Sequence, residues 1–179
     1  GLLPRAYFDN IAQYVEAGGA LLDAAGAGTE GALGLTLSPL QVVLPAEPSG
    51  QVVEAGFRPQ LTAAGKKHPV TAGLDGGRGD KPSWGRWFRL IQGNAMRGVT
   101  VMSAADNAPL LILDRVGEGR VAQLMSDQIW LWSRGFEGGG PQAELLRRIA
   151  HWLMKEPELE EEDLRAVVID GRLELTRRS

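Results

Sequence analysis

Apolar residues recur on one side between residues 4 and 17. Phe8, Ile11, Ala12 and Val15 fall at helical spacing, with Pro4 suited to the first turn and Gly18-Gly19 to the stop. The pattern then changes. Residues 20–24, ALLDA, read as a short buried strand with Asp23 near its end. Loop residues dominate from 26 to 50, with one helical turn expected at 39–43 and with Pro45 and Pro48 breaking anything longer. A short strand is expected at 52–57. His68-Pro69 opens a loop, and the glycine-rich stretch 73–82, GLDGGRGDKP, reads as a surface excursion.

Three strands follow in quick succession, at 87–92, 99–103 and 109–116, and Gly117-Glu118-Gly119 turns the last of them into another at 120–125. An amphipathic helix is expected at 142–154, with Leu145, Leu146, Ile149 and Leu153 on one side. Residues 156–163 are acidic and contain Pro157. Beyond them AVVIDGRLELT alternates apolar and polar about Asp170-Gly171, a strong signal for a two-residue hairpin. The layout is α/β: one domain over residues 1–155, an acidic linker at 156–164, and a β-hairpin at 165–179 that starts a following domain or adds to a sheet edge.

In an open α/β sheet the turn after a strand is where ligands and nucleophiles sit. The turn after 20–24 offers Ala24, Ala25, Gly26, Ala27 and Gly28, with no Cys, Ser or His. The architecture is that of an enzyme site without its chemistry. Gly26 to Gly31 spells GxGxxG, and Glu47 stands roughly where a dinucleotide fold holds the ribose. The fingerprint also requires a long helix opening from that turn, and Gly34 and Pro39 interrupt any such helix. A tight turn is the plainer reading, and no cofactor is expected. Asp127, after the strand at 120–125, is placed by this layout near the same turn. Asp23, Glu30 and Asp127 then form a small acidic cluster able to hold a cation or polyol, or else Asp127 caps the next turn. Candidate ligand-binding residues are Asp23, Ala24, Gly26, Gly28, Glu30, Asp127 and Trp130.

His68 and Asp127 are the weak candidates for catalysis, as a cysteine-independent hydrolase. His68 has no nucleophile near it in sequence, and a loop histidine bonded to backbone ahead of a proline is the plainer reading. His151, beside Trp152, reads as partly buried packing. Two histidines without HxH or HExxH spacing make no metal site. Five tryptophans, at 84, 87, 130, 132 and 152, suit core packing better than a sugar-stacking rim. Trp130 and Trp132 share a side if their segment is extended. Arg78-Gly79-Asp80 is a chance tripeptide.

The run YVEAGGALLDAAGAG (residues 14–28) resembles the helix–strand–elbow unit of the class I glutamine amidotransferase-like superfamily. Further segments are similar to one branch of it, domains of large bacterial membrane-anchored proteins of unassigned role. These are SPLQVVLPAEPSG (38–50), FRPQLTAAGKKHPVTAGL (57–74), APLLILDRVGEGRVAQLMSDQIWLWSRG (108–135) and HWLMKEPELEEEDLRA (151–166). The matches span roughly residues 5–166. The resemblance implies a three-layer, flavodoxin-like α/β sandwich and, in active members, a Cys–His–Glu triad. The cysteine falls at about Ala24 here, and no His-x-Glu pair stands near the C-terminal helix. It therefore implies a non-catalytic structural, interaction or ligand-sensing module of a larger envelope-associated protein. It also implies sheet strands N-terminal to this chain, so an exposed edge is expected to pair, in a homodimer or with an exchanged element.

Composition narrows this further. The absence of cysteine removes disulfides, thiolate metal sites and Cys nucleophiles together. Nineteen Lys+Arg against twenty-two Asp+Glu leave a net charge of −3, with no basic footprint for nucleic acid. No apolar run approaches the ~20 residues needed to span a bilayer, so no direct membrane insertion is expected. The chain begins Gly1-Leu2-Leu3 and reads as a fragment of a membrane-anchored parent in the bacterial cell envelope, on either side of the membrane.

Overall fold

The structure is a computed structural model that describes residues 4–26, 38–79, 81–156, 159, 163–169 and 172–178. Helix α1 (Arg5–Glu16) buries Phe8, Ala12 and Val15, the stripe its spacing predicts. It stops where Gly18 takes φ +116°, with Gly19 N–H reaching back to Tyr14 O at 2.8 Å; only glycine enters that region without strain. Strand β1 (Ala20–Ala24) follows at once.

Next along the chain come β2 (Ala46–Val53), β3 (Gln60–Leu61), β4 (Leu90–Ala95), β5 (Val99–Ser103), β6 (Pro109–Val116) and β7 (Gly119–Leu124). Five of the strands form one sheet in the order β1-β7-β6-β5-β3, while β2 and β4 pair separately. Among the described residues only β1 and β7 run parallel; the other pairs of these strands are antiparallel. The protein is thus mixed α/β with a mostly sheet core and few helices.

β7 is buried along its whole length, and its side chains alternate between two cores. Val121 joins α1 through Phe8, Ala12 and Val15, together with Leu40, Val43 and Leu44. Ala122 and Leu124 point the other way, into the larger core with Leu145, Ile149 and Trp152 of the long C-terminal helix (Gln142–Leu153, here α3). The β6–β7 turn sits hard under α1. A Cβ on Gly119 would lie 1.9 Å from Val15 O, so a side chain there would lift the helix off the sheet.

Several elements depart from expectation. The strand expected at 52–57 lies at 46–53 and contains Pro48. It pairs on one side only and its register shifts between Pro48 and Val52, and a sheet margin or bulge is where a missing N–H is tolerated. The strand expected at 87–92 begins at Leu90; Trp87 makes only an isolated bridge to Phe57. Stretch 73–82 is not wholly a surface excursion, because Leu74 is buried in the larger core and Gly77 lies against the Trp84 ring. Trp130 and Trp132 do not share a side: Trp130–Ser133 is a single helical turn, α2, which leaves Trp130 half exposed and buries Trp132. Trp84, Trp87 and Trp132 form one cluster, with ring centroids 5.2 and 4.8 Å apart.

At the C-terminus β8 (Asp163–Ile169) and β9 (Arg172–Arg178) pair antiparallel. Ile169 faces Arg172 across the two-residue turn that the sequence assigns to Asp170-Gly171. Those two residues lie outside the described ones.

Candidate functional site

Because β1 and β7 are parallel, their C-terminal ends come out side by side, and Ala25 N–H extends the pairing to Leu124 O at 2.8 Å. Beyond that point the chain after β7 is held from its other side. Ile91 N–H donates to Met125 O at 2.8 Å, and the Ser126 hydroxyl donates to Arg89 O at 2.6 Å. Ser126 is fully buried, and its oxygen also accepts Gln128 N–H at 3.2 Å. The cap expected of Asp127 is therefore supplied by Ser126.

Asp127 turns toward Gly26, whose position would place a Cβ 3.7 Å from Asp127 Oδ2. The structure brings these two predicted residues together. It also brings a group the sequence reading missed, the guanidinium of Arg89. Arg89 Nη1 donates to both carboxylate oxygens of Asp127, at 3.0 and 3.3 Å, and its Nη2 stands 3.6 Å from Glu54 Oε1. Arg89 Nε is shielded from solvent and has no hydrogen-bond partner among the described residues. Nothing local in the sequence announces this pair, since Arg89 is 38 residues from Asp127.

Asp23 does not join Asp127. Its side chain lies on the α1 side of β1 and accepts from Gln123 Nε2 at 3.1 Å, while Gln123 Oε1 accepts Ala46 N–H at 2.8 Å. One buried amide thus ties β1 to the start of β2. Burial raises the Asp23 carboxyl above its ordinary value, and the bond from Gln123 offsets part of that rise. Ala24 is exposed at the strand end. Gly28 and Glu30, and with them most of the GxGxxG stretch, lie outside the described residues.

His68 belongs to a different place. Its Nδ1 accepts Val70 N–H at 3.2 Å, and its ring packs edge-on against Trp152 at 6.0 Å. Trp152 in turn meets Arg120, whose guanidinium lies 5.0 Å from the indole and whose Nη1 donates to Trp152 O at 2.6 Å. Arg120 begins the run of β7 and Asp127 lies beyond its end, so His68 and Asp127 mark opposite ends of that strand. The structure does not assemble them as an acid–base pair. His151 is half-buried, with Nδ1 2.6 Å from Glu156 Oε2.

Chemically, the end of β1 and β7 offers a carboxylate engaged by a guanidinium, a hydroxyl committed to two backbone partners, and the small residues Ala24, Ala25 and Gly26. Among the described residues no three His, Asp or Glu side chains converge as a metal site. Two clefts of about 200 and 300 Å³ lie elsewhere. One is lined by Asp75, Ser83, Trp84 and Gly138–Pro141, the other by Leu61, Lys66 and Arg78 among glycines. No helix among the described residues is long and apolar enough to cross a membrane.

No protein-family model matches the sequence, and no curated protein matches it. Solved structures do resemble it. A cytoplasmic protein from Salmonella typhimurium aligns at TM-score 0.67 and 24% identity, over 82% of this chain and 59% of that one. A second cytoplasmic protein, from Salmonella typhimurium LT2, aligns at 0.68 and 23%, over 85% and 62%. A β-galactosidase from Bacillus circulans aligns at 0.52 and 12%, over 92% of this chain and 24% of the enzyme. The chain spans about three fifths of each Salmonella protein. At these identities the likeness is one of fold.

Proposed function

We propose that this chain is a non-catalytic amidotransferase-like module, a three-layer α/β sandwich of the flavodoxin-like kind. It serves as a structural, interaction or ligand-sensing part of a larger envelope-associated protein. The observation that carries this reading is the end of β1. Where the resemblance places a nucleophile, the chain has Ala24, and the nearest polar groups are committed: Asp127 to Arg89, and Ser126 to the backbone. A nucleophile needs a free lone pair and a base within hydrogen-bond reach. The layering reading is supported by α1 and α3, which pack on opposite faces of β7, and by the parallel β1–β7 pair. That the fold matches about a quarter of a β-galactosidase supports its use as one part of a longer chain.

The test is a turnover panel on the purified chain with glutamine, p-nitrophenyl acetate and p-nitrophenyl glycosides, alongside tryptophan fluorescence with millimolar NAD or FAD. The expected result is no ammonia or nitrophenol above the buffer rate and no fluorescence change. Turnover lost in Asp127→Asn or His68→Ala would establish a hydrolase instead, and a saturable fluorescence response would establish a dinucleotide site. Fractionation of cells expressing the whole parent tests location, with the parent expected in the membrane fraction.

A further inference from the structure

The larger of the two clefts, about 300 Å³, lies beside β3, at the opposite edge of the sheet from β1. Leu61 and Lys66 line it from one segment. Gly73, Gly77, Arg78 and Gly79 line it from the glycine-rich stretch that follows. Two residues of the Arg78-Gly79-Asp80 tripeptide thus acquire a place in the fold.

Both segments are fixed from behind. The turn carrying Lys66 rests on β5, because Thr62 Oγ1 accepts Gly65 N–H at 2.9 Å and donates to Thr100 O at 2.7 Å. On the other side Gly77 N–H donates to Leu74 O at 3.0 Å, and Leu74 is buried in the larger core. A Cβ on Gly77 would lie 2.8 Å from the Trp84 ring, so the stretch settles there only as glycine. The cleft is therefore built before a ligand arrives, which lowers the ordering cost of binding.

Its lining carries charge of one sign. Lys66 and Arg78 are cationic, and the other lining residues are Leu61 and glycines, in a chain whose net charge is −3. The surrounding sequence has the same bias: residues 65–81 hold Lys66, Lys67, Arg78 and Lys81 against Asp75 and Asp80. Asp75 accepts Gly76 N–H at 3.0 Å and lines the other cleft, while Asp80 lies outside the described residues. Among the described residues the Arg78 guanidinium has no hydrogen bond or ion pair, and the N–H groups of Gly73, Arg78 and Gly79 have no acceptor. Gly73 and Gly79 sit at φ +67° and +91°, and a Cβ on either would meet nothing, so a ligand can approach their backbone closely. Cations and turn N–H groups gathered at one concavity attract an anion.

We infer that this cleft binds a phosphate group, free or as the phosphomonoester of a small polar molecule. A phosphate dianion matches two cations. Its terminal oxygens engage the Arg78 guanidinium bidentately and still reach the Lys66 ammonium and backbone N–H groups. A carboxylate, with one charge and two oxygens, leaves donors over. Leu61 is the single apolar side chain among the described lining residues, and the volume is at the low end for small-molecule sites, so the body attached to the phosphate is small. The cleft lies apart from the end of β1, and the inference stands or falls independently of the amidotransferase-like reading.

The test is equilibrium dialysis of the full chain against inorganic phosphate, glycerol 3-phosphate or acetate at physiological ionic strength. Saturable binding of phosphate is expected. Arg78→Ala and Lys66→Ala each weaken it at least about tenfold, whereas Arg134→Ala, beyond the end of α2, leaves it unchanged. All three side chains are exposed, so the variants keep the fold. Equal affinity for the two phosphates assigns the free anion, and tighter binding of glycerol 3-phosphate assigns the phosphomonoester. No saturable binding of either at millimolar concentration overturns the inference. So does binding that acetate matches, or that Arg78→Ala or Lys66→Ala leaves intact.

Discussion

The two edges of the five-stranded sheet are finished in opposite ways. β3 is two residues long, and the chain after it closes over its neighbour. Thr62 N–H and hydroxyl donate to Val101 O and Thr100 O, Gly65 presses against Val101, and Thr71 donates back to Gly65 O at 2.7 Å. β1 runs for five residues, with Leu22 and the α1 tyrosines Tyr7 and Tyr14 exposed. A sealed edge needs dedicated residues: a hydroxyl to take the open carbonyl and a glycine to let the backbone approach. β1 itself carries neither, and its one carboxylate, Asp23, is tied inward to Gln123.

The comparison can be broken first at the sealed edge. Gly65→Ala would place its Cβ 1.9 Å from Val101 O, so the loop must lift. The expected cost is about 2–3 kcal/mol by urea denaturation, as for other overpacked sites. Gln123→Ala comes next. It strands Ala46 N–H and removes the donor to Asp23, for an expected loss of about 1–2 kcal/mol.

Asp23→Asn goes the other way. The native carboxyl is raised by burial above 3.8, so the folded state binds its proton more tightly than the unfolded chain does. The associated stability is complete below 3.8 and is lost as the pH rises through the folded value, leaving a buried charge at neutrality. Asn keeps an acceptor for Gln123 without that charge. A higher Tm than the parent at pH 7 is expected, with the difference shrinking as the pH falls toward 3.8. The smallest effect is expected in β1: Leu22→Lys should leave stability within about 0.5 kcal/mol by urea denaturation, because the Leu22 side chain is 45% exposed.

What was legible in the sequence was local. α1, β1, the β6–β7 hairpin, α3 and the β8–β9 pairing rest on periodicities and turns that a dozen residues contain. Position failed where distant chain decided. Pro48 reads as a breaker until β2 proves to pair on one side only, and Trp132 reads as an extended neighbour of Trp130 until Trp84 and Trp87 draw it into a helical turn. The candidate site divides along the same line. Gly26 and Asp127 were placed together by the parallel-strand layout, whereas Arg89, which decides what Asp127 is able to do, comes from 38 residues away. His68 is joined to Asp127 only in the hydrolase alternative; its Nδ1 accepts Val70 N–H, as the plainer loop reading expects, and packing against Trp152 holds it at the other end of β7.

The most direct measurement is ammonia release from millimolar glutamine by the purified chain, read beside Asp127→Asn. The account predicts no ammonia above the buffer rate from either protein. Saturable release from the unmodified chain that Asp127→Asn abolishes would contradict it.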